Sequence, residues 1–248
     1  MKKLSIASIA LGLVSGAFAQ NLFTEGHGDI GIGHDGTNWD MHIHSDQWGE
    51  SEADEQIVVA PLSSLFTRSA SSAFDFIGVG AGQQFYRLRE TSVAGQPFLG
   101  ISTEEFAGPA ASYTETNANL SRVVGSMTDA WISLELVSVV APSGGVFSLY
   151  SNDPGDSLGP VAWMSTIDGI SSNDKFILAD DVHAHANWAF SKAGTYEVTF
   201  RGKFWDGSAF QSSPDTTYTF EAVPEPASMA ALGLGLAGLL RRRSKKSA

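Results

Sequence analysis

Cysteine is absent from the 248 residues, which removes disulfides as a source of stability and thiolates as metal ligands or redox groups. Any transition-metal site must therefore be built from histidine and carboxylate. The two hydrophobic runs, Leu4 to Gly16 and Ala227 to Leu240, fall short of the roughly 20 residues that an isolated transmembrane helix needs. There is no G-x-S-x-G, no H-E-x-x-H and no Gly-rich phosphate loop, and no general acid or base can be named. The chain reads as a binding protein rather than an enzyme. Heptads and long amphipathic helical patterns are also missing, so short strands are left as the material of the fold.

Both ends read as targeting segments. Met1-Lys2-Lys3, the run from Leu4 to Gly16 and the small-x-small site Ala17-Phe18-Ala19 compose a signal peptide over residues 1–19, with Gln20 as the first mature residue. At the other end Val223-Pro224-Glu225-Pro226 precedes the apolar segment, which Gly233, Gly235 and Gly238 weaken, and then comes Arg241-Arg242-Arg243-Ser244-Lys245-Lys246. These parts, in this order, resemble the PEP-CTERM sorting signal of Gram-negative bacteria. The resemblance implies a C-terminal hydrophobic sorting helix within 223–248 and a transient association with the membrane. It also implies cleavage by an exosortase-type protease and secretion to the periplasm, outer surface or extracellular polysaccharide matrix.

Positive charge is scarce once those ends are set aside. Of 15 basic and 27 acidic residues, two lysines fall in the leader and five basic residues plus Glu225 in the tail, leaving 8 basic and 26 acidic in between. Such a surface repels phosphate backbones and attracts cations, so nucleic acid is excluded as a partner.

Residues 20–222 have the length of one all-β domain. Asp29 to His34, a turn at Asp35-Gly36-Thr37-Asn38 and a return strand from Trp39 read as a hairpin, with Trp39, Met41 and Ile43 on one face and Asp40, His42, His44 and Asp46 on the other. Glu50, Glu52, Asp54 and Glu55 read as a solvated acidic loop. Further strands are expected at 56–60, 83–88, 130–139, 145–151, 160–164 and 176–178, and a short helix or turn at 71–77. The segment 91–120 is ambiguous. His183 to Phe190, a turn at Ser191 to Gly194 and Thr195 to Arg201 read as a hairpin, followed by a last strand at 216–222. Short strands at steady spacing with Gly, Pro and Asp turns predict an antiparallel β-sandwich, Ig-like or jelly-roll-like. Asp153-Pro154-Gly155-Asp156 lacks a full calcium-loop pattern and reads as a turn.

What is present in an unusual distribution is histidine. All six fall in two short clusters, His27, His34, His42 and His44, then His183 and His185, and both clusters contain His-x-His. In a strand, residues i and i+2 project from one side, which is metal-ligand spacing. Two such strands meeting across a sheet would give four imidazoles, His42, His44, His183 and His185, to one tetrahedral zinc ion; three histidines with Asp40 or Asp46 would leave a position open. Asp40, Asp46 and Asp181 are also candidates for fixing a histidine tautomer. His27 ranks above His34, which abuts the turn. Trp188 reads as a core residue.

The run His183-Ala184-His185-Ala186-Asn187-Trp188-Ala189-Phe190 leading to Gly194-Thr195-Tyr196 resembles the choice-of-anchor M domain of bacterial surface proteins. His27-Gly28-Asp29-Ile30, Trp39 to His44 and Phe147-Ser148-Leu149-Tyr150 agree with it. The resemblance implies a surface protein that binds or relays zinc, or manganese, beside a metal-uptake ABC transporter. The competing expectation is a structural or adhesive matrix protein that binds polysaccharide and uses its histidines only for a structural metal.

Overall fold

The computed structural model describes residues 20–113, 130–152 and 160–223. The signal peptide, the turn at 153–156 and the sorting helix lie outside the described residues. Among the described residues no helix is long and apolar enough to cross a membrane.

Strands are numbered along the chain. The N-terminal part forms β1 (Asn21–Phe23), β2 (Gly26–His34), β3 (Trp39–Ser45), β4 (Gly49–Glu52) and β5 (Gln56–Ala60). After a short 3-10 turn come β6 (Leu65–Thr67), a second 3-10 segment at Ser72–Ile77, β7 (Gln84–Leu88) and β8 (Pro97–Ser102). The rest comprises β9 (Ile132–Val140), β10 (Phe147–Ser151), β11 (Val161–Ser165), β12 (Lys175–Leu178), β13 (His183–His185) and β14 (Asn187–Phe190). The chain ends in β15 (Gly194–Trp205), β16 (Phe210–Ser212) and β17 (Thr216–Ala222).

Among the described residues three sheets result: β1-β5-β17-β15-β9-β12 with β16 on the end of β15, then β11-β10-β14-β7-β6, and finally β13-β8-β2-β3-β4. Most pairings are antiparallel, but β1–β5, β5–β17 and β2–β8 are parallel, so the sandwich is mixed rather than purely antiparallel. Parallel neighbours need long crossovers, and the chain supplies them: β3 to β7 intervene between β2 and β8.

The sheets share one apolar interior. Ile30, Ile32, Met41, Ile43, Leu99 and Ile101 point inward from the histidine-bearing sheet and join Phe200, Tyr218 and Phe220 of the largest sheet and Phe147, Trp188 and Phe190 of the third. Trp188 is fully buried, its ring stacked on Phe220 at 5.5 Å. Tyr218 donates a hydrogen bond from its hydroxyl to the His42 carbonyl at 3.2 Å, tying the largest sheet to β3. Burying six or more such aromatics replaces the missing disulfides, at about 25 cal/mol per Å² of apolar surface.

Three local expectations need correction. The stretch His183–Phe190 is not one strand: the chain leaves one sheet at His185 and enters another at Asn187. β14 and β15 are likewise in different sheets, so the tight turn between them is an arch over the core and not a hairpin. The supposed acidic loop begins as β4, paired with β3 so that Glu52 faces His42 and Glu50 faces His44.

Candidate metal centre

The ambiguous segment 91–120 contains the strand that organises the site. β8 lies between β13 and β2, antiparallel to one and parallel to the other. It is anchored to the approach of β13 by Thr103, whose amide donates to the Val182 carbonyl at 2.8 Å and whose hydroxyl donates to the Ala179 carbonyl at 2.8 Å.

The register writes out two rows across the outward face of this sheet. One runs His183, Ser102, Gly31, His42, Glu52, and the next runs His185, Gly100, Asp29, His44, Glu50. His27 pairs with Phe98 two residues further along β2. Because side chains alternate, the inward residues between these rows are Ile30, Ile101, Ile43 and Ala184, all buried.

Within that face His27, Asp29, His183 and His185 converge. The Nε2 atoms of His27 and His183 are 3.2 Å apart, those of His183 and His185 are 2.6 Å apart, and Asp29 Oδ2 is 3.3 Å from His27 Nε2. His27 and His183 stack at 4.8 Å, while His185 lies flat on the Phe98 ring at 3.5 Å. Gly100 makes this approach possible, since a side chain there would run into Asp29 and into His185.

Burial governs the electrostatics of this group. Asp29 is 5% exposed, and its Oδ1 has no hydrogen-bond partner among the described residues. Burial raises its carboxyl above the ordinary value, with His183 and then His27 pulling it back. Burial, and next the proximity of His183, hold His185 down at about 4, which keeps that imidazole neutral and able to ligate through neutral pH.

His42 and His44 do not join this group. β8 and β2 separate β13 from β3, a distance of roughly 14 Å at the usual strand spacing. The expected closure of His42, His44, His183 and His185 on one ion therefore does not form. His42 instead gathers with Asp40, Glu50 and Glu105: its Nδ1 is 3.5 Å from Asp40 Oδ2 and its Nε2 is 3.6 Å from Glu105 Oε2. It is 4% exposed and lies over Gly31. His44 is exposed and, with Asp29, His42, Ser102, Glu104 and Glu105, lines a cavity of about 50 Å³ between the two groups.

His34 belongs to the core face. Its Nδ1 accepts from the Gly36 amide at 3.0 Å and its ring packs edge-on against Trp39 and Phe204, so it caps the turn. Asp46 holds β2 by accepting from the His27 amide at 3.0 Å.

Reading from the sequence alone missed Asp29, Glu104 and Glu105 and took Glu50 for part of a solvated loop. The signal for Asp29 was present, since His27-Gly28-Asp29 has the same i, i+2 spacing as His-x-His. Nothing local marked the two glutamates, which follow the unrecognised β8.

Residues 222–244 match the PEP-CTERM protein-sorting motif. Comparison of the chain with curated proteins and with solved structures gave no match. The motif marks an exported, cell-surface-associated protein of Gram-negative bacteria and is associated with exosortase processing.

Proposed function

We propose that this exported protein binds a transition metal, zinc in the first place, through His27, Asp29, His183 and His185, and that it captures, stores or relays the ion at the cell surface without catalysing a reaction. One observation carries the reading: three imidazole Nε2 atoms point at one another at 3.2 and 2.6 Å. Neutral imidazole has one N–H, so His183 Nε2 cannot satisfy both neighbours as donor and acceptor at once. Ligands at zinc's tetrahedral corners lie about 3.3 Å apart, given metal–nitrogen distances near 2.0–2.1 Å. Three nitrogens with one carboxylate suit zinc better than manganese, which prefers oxygen. Asp29 Oδ1, buried without a partner, supplies the compensating charge. The resemblance to the choice-of-anchor M domain supports the same reading and brings in a metal-uptake ABC transporter as the partner.

The group Asp40, His42, Glu50 and Glu105 on the same face gives a second, oxygen-rich station, with His44 beside the cavity that leads to it. An adhesive matrix protein would use the converging imidazoles only to hold a structural metal.

Elemental analysis and zinc titration of the untagged protein test the proposal. One zinc per chain is expected, lost in His183→Ala and His185→Ala. Absence of any bound transition metal, or full affinity in both variants, would overturn it.

A further inference from the structure

The outward face of the sheet β11-β10-β14-β7-β6 is covered rather than open. The 3-10 segment Ser72–Ile77 lies over it and sets Phe74, Phe76 and Ile77 against Phe85, Tyr150 and Ala189, a small second core. Beside that core is a cavity of about 340 Å³ whose lining includes Phe66, Phe74, Phe85, Tyr150, Arg68 and Arg87, within the size range of small-molecule sites.

Two of the few basic residues of the mature region enter it, and they differ in kind. Arg68 is fully engaged: it pairs with Asp75, its Nε donates to the Phe74 carbonyl at 3.1 Å and its Nη2 to the Ser71 carbonyl at 3.3 Å. Arg87 is just as buried, at 7% exposed. Its guanidinium lies 3.6 Å over the Phe66 ring, Nη1 makes one long bond to the Tyr150 hydroxyl at 3.4 Å, and Nε has no partner among the described residues. Among the described residues it has no carboxylate at ion-pair distance. A buried cation without an anion is costly, and a contact with an aromatic face offsets only part of that cost.

We infer that this cavity binds a small organic monocarboxylate, its carboxylate on Arg87 and its apolar body among Phe66, Phe74 and Phe85. A planar guanidinium with free N–H groups matches a carboxylate in two-point fashion. One unpaired cation compensates one negative charge, which favours a monoanion over a phosphate dianion. The four aromatic rings and Ile77 of the lining suit an aryl or alkyl body better than a sugar rich in hydroxyls. The site lies on a different sheet from the histidines, so it stands or falls independently of the metal.

Isothermal titration of the full chain with phenylbutyrate, and with phenylbutanol as its neutral twin, tests the inference. Phenylbutyrate should bind one to one, with phenylbutanol about tenfold weaker or worse, the value of a charge-assisted hydrogen bond. Arg87→Met should abolish that preference and, by removing an unpaired cation, raise the melting temperature of the ligand-free protein. Phe66→Ala, at a partly exposed rim position, should weaken both ligands while Arg87 and its preference for the acid remain; this variant serves if Arg87→Met does not fold. Zinc binding should be unchanged throughout. Equal affinity for acid and alcohol, undiminished binding of the acid in Arg87→Met, or no binding to the wild type would overturn the assignment.

Discussion

His185 and Asp29 sit on strands that do not touch, yet both lean over the same residue, Gly100 of the strand between them. A Cβ at position 100 would lie 3.0 Å from His185 Cε1 and collide with Asp29 Oδ1. Gly100 is not in the left-handed region of backbone space, so the strand's own backbone angles accept alanine, and the cost falls on Asp29 and His185 and on the Ala184 carbonyl of β13, also 3.0 Å away. Gly100→Ala should therefore stay folded by circular dichroism while its zinc affinity, measured against a chromogenic chelator, drops about tenfold or more. Unchanged affinity would mean that the two side chains do not need to meet there.

Asp29→Asn should act in opposite directions with and without metal. Burial raises the Asp29 carboxyl, so in the metal-free protein its contribution is favourable when it is protonated and is lost as pH rises through its folded value. Asparagine mimics the protonated form. Thermal melts in chelator at neutral pH should show the variant more stable than the wild type, and melts in excess zinc should show it less stable.

The metal-free protein should lose stability on acidification through His185. Its value of about 4 lies below the ordinary 6.5, so between those limits the unfolded chain binds more protons than the folded one, and stability falls as pH drops from about 6.5 through 4. A His185→Gln variant should show a shallower dependence over that window than the wild type. Parallel curves for the two proteins would contradict the assignment.

The legible part of this fold was whatever depended on strict alternation. Trp39, Met41 and Ile43 against His42 and His44 were readable because period two over seven residues admits one interpretation, and the β2–β3 turn was readable from Asp35-Gly36-Thr37-Asn38. β8 was not, because Pro97 at its start and Gly100 at its centre are both depleted in strands; yet that glycine is what the site requires. The split between β13 and β14 was hidden for another reason, since a chain crossing between sheets keeps an extended backbone and an unbroken pattern. With β8 unseen, His183 and His185 were set beside His42 and His44, when their true neighbours across the sheet are Asp29 and His27.

Asp35 offers a check on the hairpin that carries half the site. Its carboxylate accepts from the Thr37 amide at 2.8 Å and the Asn38 amide at 2.7 Å. Asn38, through backbone and side chain, and then Thr37 stabilise the carboxylate and hold its pKa down at about 2. The stability it contributes should be present above about pH 4 and lost as pH falls through about 2. Asp35→Ala should melt below the wild type at neutral pH, and the gap should close in strong acid.

Trp188 stands where the three sheets meet: it belongs to β14, stacks on Phe220 of β17 and donates its indole N–H to the Leu99 carbonyl of β8 at 3.0 Å. That last bond acts on the backbone next to Gly100, so the residue links core packing to the histidine group proposed to bind metal. Trp188→Phe removes the bond and some volume, which should cost about 2–4 kcal/mol in urea unfolding. Phe220→Leu should also destabilise, through packing alone. The two differ in what they do to zinc: only the Trp188 variant releases β8, so only it should weaken the metal at equal folded fraction. Equal zinc affinity in both would show that β8 is held in place by its own ladders to β2 and β13.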